Sequence, residues 1–450
     1  MTTLDLFLVP IYLFILYALA YRHKSKHYKG HPLEPYFIPG LTIKIVGAFL
    51  FAMIYQFYYR GGDTFWFYQG IEVFFQTFQE NPVAAVKMMF LNALEWTPDT
   101  AQYTSKIWWF RDDNSFMVIK IGGLFSLFGF GSYGVITIFF ALFSFWGLWK
   151  LLKVFTDRIP SLHKEFATAI LFIPSVFFWG SGIMKDTIMI GCMGLIVYSF
   201  YLIFYKKERR IKYFISLLLF SFIMLKIRSF VFFILAPTLL LSLYVLYSGK
   251  IKSVAVRTVV APFLLSIMAV GSIGVISLTA NVNARYNLES MEKRAYDTQW
   301  WHTKVQELEG DHGSGYSLGE ATTSVPALAA RFPLAVNVTL FRPYIWEVNG
   351  PIMLQAALES LLILVFALMT LLKVGPWGFV RYSLKDPLLA FSLTFAILYA
   401  FGVGVTSNNF GALVRYKIPS VPMFLCALYI IRYYGANKHK NVPVLDNTEK

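Results

Sequence analysis

The sequence predicts an all-α polytopic membrane protein, and three observations carry that prediction. Of its 450 residues 57% are hydrophobic and only 14% are charged, against about a quarter charged in a soluble protein of this length. Apolar runs recur along the whole chain, each close to the ~20 residues that cross ~30 Å of hydrocarbon. Lysines and arginines gather in short connectors between those runs, the positive-inside pattern. The net charge of +15 is thereby assigned to topology, and a nucleic-acid partner is excluded.

The elements follow in order. The run 4–21 has Asp5 before it and Arg22, Lys24, Lys26 and Lys29 after it. A signal peptide carries its positive charge first, so this reads as a retained helix with its N-terminus outside. The run 43–59 returns outward. A mixed stretch, 60–115, holds Trp and Phe broken by charges, and 65–78 and 115–128 read as amphipathic helices in the outer interface. The run 136–151 goes inward to Lys150, Lys153, Arg158 and Lys164. The run 166–179, kinked at Pro174, goes out, and 187–205 returns to Lys206, Lys207, Arg209, Arg210 and Lys212. A hairpin of 213–225 and 230–247 precedes the inside connector Lys250, Lys252 and Arg257, after which 259–278 exits. A polar outer segment, 279–342, reads as a lid, because long structureless loops are uncommon in compact proteins. The runs 351–372, 388–405 and 412–431 complete a single membrane domain, 1–450, and 433–450 forms an inside tail. That makes about eleven crossings, N-terminus out and C-terminus in. The inside segments hold 23 of the 40 Lys and Arg.

Cys192 and Cys426 both fall in apolar runs and read as small core residues. The seven histidines show no ligand spacing, so no metal is assigned and no cofactor is expected. Arg111-Asp112-Asp113-Asn114 suits either a divalent ion or a solvated connector. His302, Glu307, Glu309, Asp311 and His312 are equally ambiguous.

Ionisable groups at membrane depth are costly and tend to face a cavity. Several clusters of them fall on the outer side of the expected topology. Tyr58-Tyr59-Arg60-Gly61-Gly62-Asp63 ends the second crossing, and its glycines let the backbone turn sharply and set one carboxylate above the surface. The same residues also suit a glycine-capped helix end, with Asp63 solvated or opening the next helix. Lys226 and Arg228 follow a helix of only 13 apolar residues, ~20 Å long at 1.5 Å per residue. They therefore sit inside a cavity, beside an anion, or snorkel to headgroups. Asp186 complements a helix N-terminus. Lys185 opposes that dipole and calls for an anionic ligand or a partner carboxylate. Arg342-Pro343-Tyr344-Ile345-Trp346-Glu347 leads into the ninth crossing, in which Gln355 and Glu359 share a face. Asn408-Asn409 and Arg415-Tyr416-Lys417-Ile418-Pro419 open the last crossing, where prolines imply irregular backbone of the kind tolerated along a cavity.

One outer carboxylate, Asp63, and the cations Lys185, Lys226, Arg228, Arg342 and Arg415 suit a substrate with a (pyro)phosphate, a sugar and a lipid tail. The architecture resembles the GT-C superfamily of polyprenyl-phosphate-dependent glycosyltransferases. It is most similar to the exopolysaccharide and O-antigen polymerase group, in the pattern Gly61-Gly62-Asp63 with Tyr68 and in Arg415-Tyr416-Lys417-Ile418-Pro419. The resemblance implies a transferase or polymerase at the outer face of a bacterial cytoplasmic membrane, with Asp63 as general base. Its substrate-binding residues would be Arg60, Tyr68, Lys185, Arg228, Arg342, Glu347, Asn409, Arg415 and Lys417. The partners would be a lipid-linked sugar donor, a glycan or other hydroxyl acceptor, and membrane lipids. The chain departs from the family in lacking a clear Asp-x-Asp metal motif. A transporter or flippase for an anionic lipid-linked glycan, and a non-catalytic envelope scaffold, stand as alternatives.

Overall fold

The computed structural model describes residues 3–248, 316, 318, 330–383, 385–407 and 409–437. The expected crossing 259–278, the connector at Lys250, most of the 279–342 lid with its His and Glu residues, Asn408 and most of the tail lie outside the described residues. Among those described, all regular structure is helical. Seven helices are long and apolar enough to cross a membrane, or eight if one bent pair counts as a span. The chain is an all-helical, multi-pass membrane protein, and it divides into two compact units, Met1–Phe232 and Phe233–Lys450.

The first unit contains α1 (Thr3–His27), α2 (Glu34–Met53, continued by a π-helical turn Ile54–Tyr58), α3 (Asp63–Glu80), α4 (Pro82–Phe90), α5 (Ala101–Thr104), α6 (Asp113–Gly129), α7 (Tyr133–Arg158), α8 (His163–Leu171), α9 (Pro174–Trp179) and α10 (Lys185–Phe200, continued by a π-helical turn Tyr201–Tyr205). Helix α7 is its axis. Asp5 of α1 accepts from Ser132 Oγ at 2.5 Å and from Gly134 N at 3.0 Å, so α1 supplies a carboxylate to the N-terminus of α7. At the other end Trp149 Nε1 donates to Tyr28 Oη at 2.6 Å. The two helices therefore run parallel. Helix α2 runs against α7, with Phe37 packed edge-on to Trp149 and Gly40 facing Phe145.

Helix α10 lies parallel to α7 at backbone contact. A Cβ on Gly194 would stand 2.0 Å from the Gly147 carbonyl oxygen, and one on Gly147 would stand 2.1 Å from that of Gly191. Lipid tails are as apolar as leucine, so helices in a bilayer gain by close packing, and small residues permit it. Helices are present where the sequence predicted them at 65–78 and 115–128, as α3 and α6. Their facing sides interlock, with Gly122 against Ile71 and Gly123 against Phe74.

The expected segment 166–179, with its kink at Pro174, is fully broken there. It is two short helices, α8 and α9, parted at Phe172-Ile173 by Pro174, which supplies no N–H to the α8 ladder. The expected hairpin 213–247 is two helical segments, together labelled α11 (Ile211–Ser248), that meet at a kink where Arg228 is non-helical (φ −150°, ψ 77°). At 1.5 Å per residue 38 helical residues would reach ~57 Å, about twice the hydrocarbon thickness. A single straight crossing is excluded, and the break falls where the sequence placed the turn. Residues 211–227 run back along α10, with Ser199 Oγ donating to Ser216 Oγ at 2.9 Å.

The second unit contains α12 (Phe332–Phe341), α13 (Pro351–Val374), α14 (Pro376–Ser383), α15 (Pro387–Thr406), α16 (Phe410–Tyr416) and α17 (Ser420–Ala436). Helix α15 is central, capped by Asp386, which accepts from Leu388 N at 2.8 Å and Leu389 N at 3.2 Å. It meets α12 at Gly404, where a Cβ would lie 2.3 Å from the Ala335 carbonyl oxygen. Helices α16 and α17 form the bent pair, at 59°, as the prolines of that segment led the sequence to expect.

Candidate functional site

In the first unit the polar residues gather where α2 ends, α3, α6 and α10 begin, and α11 breaks. The turn after α2 has three consecutive positive φ values: Arg60 54°, Gly61 154° and Gly62 121°. A left-handed non-glycine residue is uncommon. The turn is held by Gly61 N donating to Tyr55 O at 3.0 Å, and a Cβ on Gly62 would lie 2.7 Å from the Tyr55 ring. The turn delivers Asp63, half-buried, as the first residue of α3, where the positive end of the helix favours its carboxylate. Arg60 is exposed beside it.

Tyr68 is occupied otherwise. Its hydroxyl donates to Gly131 O at 2.8 Å and its ring meets Tyr133 edge-on, so it braces α3 against the turn between α6 and α7.

Lys185 has a carboxylate partner. Its Nζ lies 3.0 Å from Asp112 Oδ2, and Asp112 also caps α6, accepting from Ser115 N at 3.0 Å and Ser115 Oγ at 2.6 Å. Burial pushes the Asp112 carboxyl up, but Lys185 and Ser115 together hold it below the ordinary 3.8. Asp113 accepts from Ala93 N at 2.5 Å. The Asp112-Asp113 pair thus serves loop architecture, through a cap and an ion pair.

Arg228 also has its anion. Its Nη2 is 2.8 Å from Asp186 Oδ1, and the Asp186 side chain is 1% exposed. Lys226 reaches Asn92 Oδ1 at 3.5 Å.

Sequence reasoning missed Lys44. Its side chain is wholly buried in mid-span of α2, and Nζ donates to Gly180 O at 2.5 Å and Val176 O at 3.1 Å. It thus closes the carbonyl end of the six-residue α9 with a cation, as the dipole favours. The signal was available. Apolar residues extend back to Pro35, so α2 begins at Glu34 and Lys44 lies well inside the span, not at its edge.

In the second unit Arg342 forks onto Glu347, with Nε 3.0 Å from Oε2 and Nη2 on Oε1. The guanidinium faces the rings of Phe410, Tyr344 and Tyr316 at 5.0, 5.7 and 5.7 Å. Glu347 also accepts from Tyr344 N at 2.7 Å. Lys417, fully buried at the bend between α16 and α17, donates to Ser360 Oγ at 2.6 Å and Arg342 O at 3.3 Å. Glu359 accepts from Gln355 Nε2 at 3.4 Å and attracts Lys417. Arg415 donates to Tyr416 Oη at 3.1 Å. Asn409 caps α16, accepting from Gly411 N at 2.7 Å.

Of the ten expected site residues, the first unit holds Arg60, Asp63, Tyr68, Lys185 and Arg228. The second holds Arg342, Glu347, Asn409, Arg415 and Lys417. Among the described residues no three His, Cys, Asp or Glu side chains stand together as metal ligands. The chain matches no family model, no curated protein and no solved structure.

Proposed function

We propose that the chain is a glycosyltransferase or polysaccharide polymerase of the bacterial cytoplasmic membrane, using a polyprenyl-(pyro)phosphate-linked sugar donor at the outer face. The observation that supports it is the Arg60–Asp63 turn. Backbone in sparsely populated φ/ψ regions costs ~1–3 kcal/mol per residue and clusters at functional sites. Here the left-handed Arg60 and two glycines lead straight into a half-buried carboxylate, Asp63, with Arg60 exposed three residues before it. In this reading Asp63 takes the proton of an acceptor hydroxyl, whose oxygen attacks the anomeric carbon of the donor sugar. The bond from that carbon to the phosphate oxygen breaks, and the leaving phosphate is held by cations. Arg60 is the cation nearest to Asp63 along the chain. Lys185 and Arg228 would meet the donor only in exchange for Asp112 and Asp186, and Arg342, in the second unit, is held by Glu347.

Those three ion pairs favour a second reading. Cations matched one to one with carboxylates suit a membrane scaffold, in which charge serves packing and not substrate. The test is the lipid-linked glycan pool of cells lacking the chain, complemented with wild type, Asp63→Asn or Arg60→Ala. Outer-face accumulation relieved by wild type and by neither variant supports the transferase. Full rescue by Asp63→Asn removes Asp63 as base. Units held at the inner face indicate a flippase, and an unchanged pool leaves the scaffold.

A further inference from the structure

At the opposite end of the first unit, away from Asp63, lies a cavity of about 490 Å³, within the ~300–1,000 Å³ of small-ligand sites. Its walls come from the α1–α2 connector (His31, Leu33), the last turn of α7 (Lys153, Thr156, Asp157), and α10 with the segment after it (Tyr198, Tyr201, Lys206, Glu208). Nothing in the expected reaction uses these residues.

The hydrogen-bonding account of the lining is one-sided. Asp157 is satisfied, with Lys206 Nζ at 2.8 Å and the Tyr201 hydroxyl donating to it. The donors are not. Thr156 is 4% exposed, and its Oγ1 has no hydrogen-bond partner. Lys153, three residues before it on the same helical face, makes no hydrogen bond or close ion pair among the described residues; the rings of Tyr28 and Tyr198 lie 5.9 and 5.8 Å from its ammonium, and Asp157 and Glu208 attract it from farther off. His31 accepts from Leu33 N at 3.1 Å through Nδ1, which leaves its other ring nitrogen to carry the proton. Burial and Lys153, against the pull of Asp157, hold His31 below 6.5. A buried hydroxyl without a partner calls for an explanation, and a cavity with surplus donors around an ammonium suits an oxyanion.

Three features oppose an anion here: Asp157, matched by Lys206, Glu208, and the negative ends of two parallel helices, each about half a charge. They are outweighed. The segments 22–34, 150–165 and 206–212 that surround the opening carry thirteen lysines and arginines against four carboxylates.

We propose that this cavity is a phosphate-binding site, with Lys153 and Thr156 as its principal donors, for either the phosphate of an anionic lipid headgroup or a small soluble phosphomonoester. The site lies at the ends of membrane spans, so both sources can reach it. It stands independently of the glycosyltransferase reading.

The test uses the full chain in detergent and in phosphatidylcholine nanodiscs with or without phosphatidylglycerol. Wild type is compared with Lys153→Met and Thr156→Val. Both substitutions keep volume; among the described residues neither side chain makes a hydrogen bond, and Lys153→Met gives up only the more distant attraction of Asp157 and Glu208, so the fold should survive. Native mass spectrometry reads phosphatidylglycerol retained through delipidation, and thermal unfolding reads the effect of sn-glycerol 3-phosphate. Loss of a hydrogen bond to a charged ligand weakens binding about tenfold or more. Retained phosphatidylglycerol that both variants lose assigns the site to a lipid. A rise in melting temperature with glycerol 3-phosphate, abolished in both variants, assigns it to a soluble phosphomonoester. Failure of both probes, or binding that neither variant weakens, overturns the proposal.

Discussion

Arg228 and Asp186 form the most consequential pair in the first unit, because one member is almost wholly buried. Removing one partner of a buried pair leaves the other's charge poorly compensated, at a cost of about 3–5 kcal/mol. Arg228→Met should therefore destabilise by that order, and Arg228→Met with Asp186→Leu by clearly less than the sum of the singles. A double-mutant cycle of melting temperatures in detergent checks this. A strictly additive result would show that the two charges do not depend on one another. Asp112 makes a pH-dependent counterpart. Its folded carboxyl lies below 3.8, so the stability it contributes is complete above the unfolded value and is lost as pH falls through the folded one. Wild type should lose its advantage over Asp112→Asn only below about pH 4. An advantage already gone at pH 6 would mean that the Lys185 contact does not form in solution. At this scale the sequence was half legible. It flagged Lys185 as needing an anion or a partner and placed Asp186 at a helix start. The partners lie 73 residues from Lys185 and 42 residues from Arg228, and local spacing carries no information about such contacts.

Helices are held here by surface shape as much as by composition. The glycines at the α7–α10 crossing let backbone meet backbone, and a methyl placed 2.0 Å from a carbonyl oxygen forces the helices apart. Gly194→Ala should cost about 1–3 kcal/mol. Gly402→Ala, whose new methyl meets nothing closer than 3.8 Å, should be neutral or slightly stabilising, since alanine is the better helix former. Fluorescence-detected gel filtration after heating separates the two, and equal behaviour would refute the close crossing. Element identity was largely readable, because long apolar runs leave helix as the one open structure that satisfies the backbone in lipid. Element ends were read less well. α2 starts nine residues before the expected run, since Pro35 and Pro39 look like loop residues; Pro35 sits in the first helical turn, where proline's missing N–H costs little, and Pro39 lies inside the helix. α8 and α9 look like one crossing by hydropathy alone, which does not register a backbone break at Phe172-Ile173 between two apolar segments.

At the scale of the molecule, the first unit has two chemically distinct ends. Helices α7 and α10 run parallel and α2 against them, so Tyr58 lies at the Asp63 end and Arg209 at the end that holds the cavity. If the proposed orientation is right, Tyr58→Cys will react with an impermeant maleimide in intact cells, and Arg209→Cys only after permeabilisation. Cys192 and Cys426 are buried and give no background. Reversed labelling would move the candidate carboxylate to the inner face and exclude an outer-face transferase. The positive-inside bias predicts the first outcome, because 206–212 alone carries five basic residues and one acid.

The sequence by itself determined the class of the protein, the positions of most of its long helices and the short list of charged residues worth following. Hydrocarbon thickness and backbone hydrogen bonding dictate those properties from local composition. Only the tertiary structure decided which of the charges are matched, that Lys44 lies buried at the end of a broken helix, and that unused donors gather around a cavity. These depend on which helices become neighbours. That choice is made by the shape of faces many residues apart, and no local run of sequence records it.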